Sequence, residues 1–276
     1  MNKKRVLLII ILAVVLLVVV GITFLVCYLL SKYADHDFLT DLTISLIVEG
    51  IVTAISIAVS FASWFIKSFS EARDYDYKTE YKNQKIRLSF AYLIRIKVNN
   101  RYLLVKSGHG RDIFGPVGGV YHIEKTDYVY KKLGYARDET PGDPDDVRGT
   151  INGQNVAKFI RWFNKRKNRE VCPNREFDEE LIDSGIVDKG LFKDVSFSFV
   201  NTKYRGIQLS THYRKLELCR FDVYELSLNP EQISHLSSLK SKKIKLATRE
   251  EIESCGVDKN NDKRTIGDQT VYILEE

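Results

Sequence analysis

The sequence predicts two membrane-spanning helices followed by a water-soluble α/β domain. Three observations predict it. Residues 6–30 carry no charge, and residues 44–66 are apolar with only Glu49 interrupting them. Everything after Lys67 is charged enough for water and long enough for one core of ordinary domain size. Within that part, strand-like runs bounded by turn residues come first, and helix signatures with caps follow.

The first apolar run has about the length a bilayer core requires, roughly 20 residues. It exceeds the ~7–15-residue apolar segment of a cleaved signal peptide, and no small-x-small site follows it. Lys3, Lys4 and Arg5 precede it; Asp35, Asp37 and Asp41 against Lys32 fill the short connection; Lys67 and Arg73 follow the second run. By the positive-inside rule both termini face the cytosol and 31–43 lies outside, a two-pass topology in the cytoplasmic membrane. In the second run Glu49, Thr53, Ser56, Ser60, Ser63 and Lys67 recur at four- and three-residue steps and form one polar stripe. Gly50, Ala54, Ala58 and Ala62 make a small-residue ridge beside it, the pattern that lets helices approach closely. The expectation is a homo-oligomer assembled through this helix within the lipid bilayer. The alternative is packing inside one hairpin, with the hydroxyls bonded to backbone.

Residues 68–85 form a charged, Tyr-rich connector. The domain is expected over 86–276. Residues 86–107 read as two strands around a Val98-Asn99-Asn100-Arg101 turn. Phe114-Gly115-Pro116-Val117-Gly118-Gly119-Val120 is a Pro/Gly turn after an apolar stretch, and residues 137–153, acidic and rich in Pro and Gly, read as loop. Val156, Phe159, Ile160 and Phe163 at i, i+3, i+4 and i+7 predict an amphipathic helix over 156–167, with Lys158, Arg161, Lys165 and Arg166 on its other faces. Asn174 or the Cys172-Pro173 corner can start the next helix and Gly185 can close it. On that helix Glu176, Glu179 and Glu180 share a face, and Phe177 with Leu181 supplies an apolar side. Three carboxylates so placed repel one another. A hard cation such as Mg²⁺, held typically by a couple of carboxylates, would relieve that; a solvated acidic face is the plainer alternative. Residues 218–228 read as a further strand.

The net charge of +6 gives no case for a nucleic-acid partner. Cys27, Cys172, Cys219 and Cys255 show neither zinc spacing nor a disulfide framework, and the five histidines are scattered.

Gly118, Glu124 five residues further on, and Arg175-Glu176-Phe177-Asp178-Glu179-Glu180 together resemble the Nudix box. In that motif a glycine, a spaced glutamate and an R-E-x-x-E-E helix build a strand–loop–helix metal site for diphosphate compounds. The late Ala247-Thr248-Arg249-Glu250-Glu251-Ile252 segment resembles that family's threonine-then-acidic-helix element, and the likeness runs over 84–276. It implies a mixed sheet sandwiched by helices, metal ligation by Glu176, Glu179 and Glu180, a helix-supporting role for Arg175, and nucleotide binding by Arg175, Gly118, Gly119 and Glu124. Two departures stand out: residues 125–174 intervene where the box has about seven, and Leu181-Ile182-Asp183-Ser184 precede Gly185. With two apolar runs ahead of it, the domain is similar to SMODS-associated Nudix effectors, found beside cyclic-oligonucleotide synthases in bacterial antiphage systems. That similarity implies a cytosolic sensor of a cyclic oligonucleotide whose membrane part disrupts the inner membrane. A membrane-tethered, Mg²⁺-dependent hydrolase of nucleoside-diphosphate-linked compounds is the other reading, and a scaffold docking a protein the third.

Overall fold

The computed structural model describes residues 81–108, 112–124, 127–138, 143–257 and 263–275, and ahead of them helical positions at 21, 28, 32, 48–50, 52, 53, 55–60, 62 and 63. The chain divides into two units, Met1–Glu71 and Ala72–Glu276.

The first unit corrects the predicted fold class. Among the described residues no helix is long and apolar enough to cross a membrane, so the two membrane-spanning helices are not supported. Glu49, Gly50, Thr53, Ser56 and Ser60 are exposed at helical positions, Ala58 and Ala62 are half-buried, and Ala54 lies outside the described residues. Ser56 Oγ donates to the Val52 carbonyl at 2.8 Å, so this hydroxyl is satisfied within its own helix.

The second unit is an α/β domain with a mixed sheet. Strand β1 (Lys85–Arg95) is its centre, with the pattern eleven residues long and almost wholly buried, as a strand covered on both faces must be. After β2 (Lys97–Val98), the chain reverses at Asn99, whose φ of 56° suits Asn in the left-handed region, and returns as β3 (Arg101–Lys106). This is the hairpin the sequence predicts. A short β4 (Phe114–Gly115) leads into the Pro116–Val120 turn.

The long segment between the two halves of the motif is built into the domain. It supplies β5 (Ala136–Arg137), β6 (Arg148–Asn152) and helix α1 (Val156–Asn164). The 137–153 stretch expected as loop therefore contains a strand. Val147 and Ile151 are buried and β6 pairs antiparallel with β1, so the acidic Pro/Gly composition covers only its first part. Helix α1 follows its predicted face: Val156, Phe159, Ile160 and Phe163 are all at most 1% exposed. Phe90 meets Phe159 and Phe163 edge-on at 5.5 and 4.9 Å, which locks the inserted helix onto β1.

Helix α2 (Asn174–Phe177) runs on through a π-helical turn at Asp178–Asp183 and stops near Gly185, whose φ of 69° is the left-handed conformation glycine adopts at helix ends. Long antiparallel strands β7 (Ser196–Leu209) and β8 (Leu216–Ser227) follow. Helix α3 (Pro230–Ser238), β9 (Ile244–Ala247) and α4 (Arg249–Glu253) complete the order. Thr248 caps α4 through a reciprocal pair with Glu251, the role its place before an acidic run suggests.

The five-stranded sheet runs β5-β6-β1-β8-β7, with β1 and β8 parallel and the other pairs antiparallel. A second sheet joins β2, β3 and β4, with β9 on β3. Phe177 and Leu181 are fully buried in a cluster with Ile94, Val117, Phe192 and Leu226. Burying such side chains stabilises by about 1.5–3 kcal/mol each, which fixes the rotation of the acidic helix and therefore where its glutamates point.

Candidate functional site

The turn after β4 lies along β1, with the Tyr92 N–H donating to the Gly119 carbonyl at 2.9 Å and the Ile94 N–H to the Val117 carbonyl at 2.8 Å. Gly118 is required here. Its φ is +149°, and a Cβ would stand 2.2 Å from the Tyr92 carbonyl oxygen. At Gly119 the obstacle is a side chain: a Cβ would meet Glu176 Oε1 at 1.8 Å. The two glycines thus do different things. Gly118 lets the backbone bend against β1, and Gly119 leaves room for a carboxylate.

The carboxylates of the acidic helix divide the same way. The Gly118 N–H donates to Glu180 Oε2 at 3.0 Å. Glu176 Oε1 accepts from Arg175 Nη1 at 2.8 Å, while Glu179 is 54% exposed and only 3.4 Å from the same guanidinium. Arg175 also donates to the Val120 carbonyl at 3.0 Å and to both oxygens of Glu170, at 3.3 and 3.4 Å. The arginine is thereby a clamp between helix, turn and inserted segment. Its supporting role follows from a planar fork of donors that a lysine lacks.

Glu170 is the site residue that sequence reasoning missed. It accepts from Tyr92 Oη and from the His122 N–H, each at 3.2 Å, in addition to Arg175. It lies inside the inserted segment, five residues before Arg175, and no spacing rule marks it. Glu124 is exposed and held by its backbone N–H to the Asn168 carbonyl at 3.0 Å. Among the described residues no hydrogen bond or ion pair joins its side chain to the Arg175 cluster, because the insertion leaves the motif just past it.

Burial pushes the Glu180 carboxyl up to about 7; the Gly118 N–H opposes this, and Glu176 and Glu179 add to it. Burial also raises Glu176, against the pull of Arg175. Burial pulls Arg175 down, but Tyr92, Glu170 and Glu176 outweigh it and raise the guanidinium. Tyr92 is raised by burial and by Glu170.

Carboxylate oxygens are the right donors for Mg²⁺. Their arrangement is not: among the described residues no group of three His, Cys, Asp or Glu side chains is placed to hold a metal ion. One of the three expected ligands is taken up by Arg175, one by Gly118, and the third faces solvent. As arranged, Glu176 and Glu180 brace the turn.

A cleft of about 720 Å³ opens against that turn. Gly118 and Gly119 form one edge; Arg148, Arg205, Tyr213 and Glu217 line the rest, over a floor that includes Ala91 and Phe221.

A family model described as "SMODS-associated NUDIX domain" matches residues 85–274. The chain belongs to this family. Nudix domains generally use divalent metals, and in this member the acidic helix is retained in residue type without gathering a metal cage. Membership links the chain to SMODS-associated effectors of antiphage signalling, a setting of cyclic-oligonucleotide messengers. No curated protein matches the chain.

Proposed function

We propose that the Nudix domain of this chain binds a cyclic oligonucleotide as the sensing part of an antiphage effector. The observation that carries this reading is the pairing of a braced turn with an open polar cleft. Glu176 and Glu180 are engaged against the Gly118–Gly119 turn, and the cleft of about 720 Å³ that the same turn lines has the size of small-molecule sites, roughly 300–1,000 Å³. Arg175, by tying turn, acidic helix and inserted segment together, gives ligand binding a route to the rest of the domain. A sensor must bind its messenger better in one state than another, and a thousandfold preference supplies about 4 kcal/mol. The membrane-disrupting step expected from the two apolar runs has no helix among the described residues to perform it.

Calorimetry of the full-length chain against a panel of cyclic dinucleotides and trinucleotides, with recovery of the ligand, tests the reading. One or more cyclic nucleotides should bind and be recovered intact, with or without Mg²⁺. Ligand recovered cleaved when Mg²⁺ is present would favour the hydrolase instead. Absence of binding across the panel would sink the sensing role.

A further inference from the structure

Resting on that sensing role, we infer that the cleft recognises its nucleotide at two ends. Arg148 and Arg205 take phosphate, Tyr213 stacks the base, and the segment that interrupts the motif supplies one of the two phosphate contacts through Arg148.

The two arginines come from unrelated parts of the chain. Arg148 opens β6 inside the inserted segment and Arg205 stands near the end of β7. Each has a loose acidic neighbour: Arg148 is 3.3 Å from Asp146, and Arg205 is 3.4 Å from Asp268, itself 58% exposed. Both contacts are long and the Arg148, Arg205 and Asp268 side chains reach solvent, so each pair holds its arginine weakly, with Tyr272 a further hydrogen-bond partner of Arg205. A phosphate offers each guanidinium a stronger, two-pronged partner. The acidic groups lining the cleft are Glu217 and Asp268. Glu217 shares the buried Arg87 with Asp138, which offsets part of its charge, and Asp268 is paired with Arg205.

The aromatic end is held rigidly. Tyr213 lies in the β7–β8 hairpin, with the Arg87 guanidinium over its ring at 3.8 Å and His212 edge-on at 4.6 Å. Arg87 also bonds Asp138 of the inserted segment at 2.7 Å. The hairpin wall, β1 and the insertion are therefore pinned by one buried side chain, and the ring reaches the cleft already ordered. An aromatic face stacks any base, so Tyr213 contributes affinity for a nucleoside without selecting its identity. Selection falls to polar groups beside it, Gln208 and Gln269, whose amides both donate and accept.

The test uses the full-length chain with cyclic di-AMP, ADP and inorganic pyrophosphate as probes, read by calorimetry, with a melting curve for each variant. Arg148→Gln and Arg205→Gln should each weaken all three probes at least tenfold. Tyr213→Leu should weaken ADP and cyclic di-AMP about tenfold while leaving pyrophosphate within twofold, and Tyr213→Phe should behave like the unmodified chain. Nucleotide binding within twofold of the unmodified chain in both arginine variants would overturn the cleft assignment and leave the sensing role standing. Equal loss of pyrophosphate and ADP in Tyr213→Leu would overturn the stacking role. An unmodified chain that binds no nucleotide removes the sensing role and this assignment together.

Discussion

Substituting Gly119 by alanine tests how tightly Glu176 is held beneath the turn. The three atoms nearest the added Cβ all belong to Glu176: Oε1 at 1.8 Å, Cδ at 2.0 Å and Cγ at 2.6 Å. No backbone strain contributes, since Gly119 is not among the glycines with positive φ. The chain has two responses. It can keep Glu176 in place and accept overpacking, at about 1–3 kcal/mol. Or it can swing Glu176 aside and lose its charged hydrogen bond with Arg175, at about 1.5–3 kcal/mol. The two are alternatives rather than a sum, and Arg175 keeps Glu170 and Val120 in either case. The expected cost is about 2–3 kcal/mol, which for a domain of this size lowers the Tm by roughly 5–10 °C. Urea denaturation of the four members of a double-mutant cycle with Glu176→Ala measures it. In the Glu176→Ala background the obstacle is gone, so Gly119→Ala should cost less than about 0.5 kcal/mol and the coupling should be near 2 kcal/mol. Additive effects within about 0.5 kcal/mol would refute the placement of Glu176 under the turn.

Gly118→Ala should cost more, about 4 kcal/mol or above, because its obstacle is the Tyr92 carbonyl and its φ is +149°; trimming Glu180 to alanine should not rescue it, which the same denaturation cycle reads. Glu180 sets a pH dependence. Its folded value of about 7 lies above its ordinary 4.5, so between those values the folded state holds a proton that the unfolded state has released. Stability should therefore fall as pH rises from about 4.5 to about 7 and level off above, by about 2 kcal/mol after allowing for partial exposure; Glu180→Gln should flatten that slope in denaturation curves taken across the window. Arg87→Met should leave Asp138 and Glu217 without their shared cation and cost about 3–5 kcal/mol, with Glu217→Gln restoring part of it when both variants are melted.

Local chemistry made much of the domain legible before any coordinates. Phe177 and Leu181 are spaced to bury one side of the acidic helix, which commits Glu176, Glu179 and Glu180 to the others. Val156, Phe159, Ile160 and Phe163 had to face a core. Each is a rule of neighbouring residues on one element, where the pitch of a helix or the reach of a side chain decides the answer. The same reasoning overreached at the N-terminus. An uncharged run measures how residues prefer to partition, and among the described residues no helix is long and apolar enough to cross a membrane.

What only the tertiary structure decided is which groups meet across the sheet. Glu170 reaches Tyr92 on β1 because the inserted segment folds back through β6 and α1 onto that strand, a pairing that no spacing in the chain encodes. Gly118 and Gly119 are adjacent and identical in sequence. One is nevertheless fixed by the Tyr92 backbone and the other by a carboxylate from a helix more than fifty residues away. The acidic trio, uniform by its spacing, is divided into a braced pair and an exposed third by what lies above each residue. Burial and partner choice are properties of the packed chain. They set Glu176 and Glu180 against a glycine turn that also borders an open cleft.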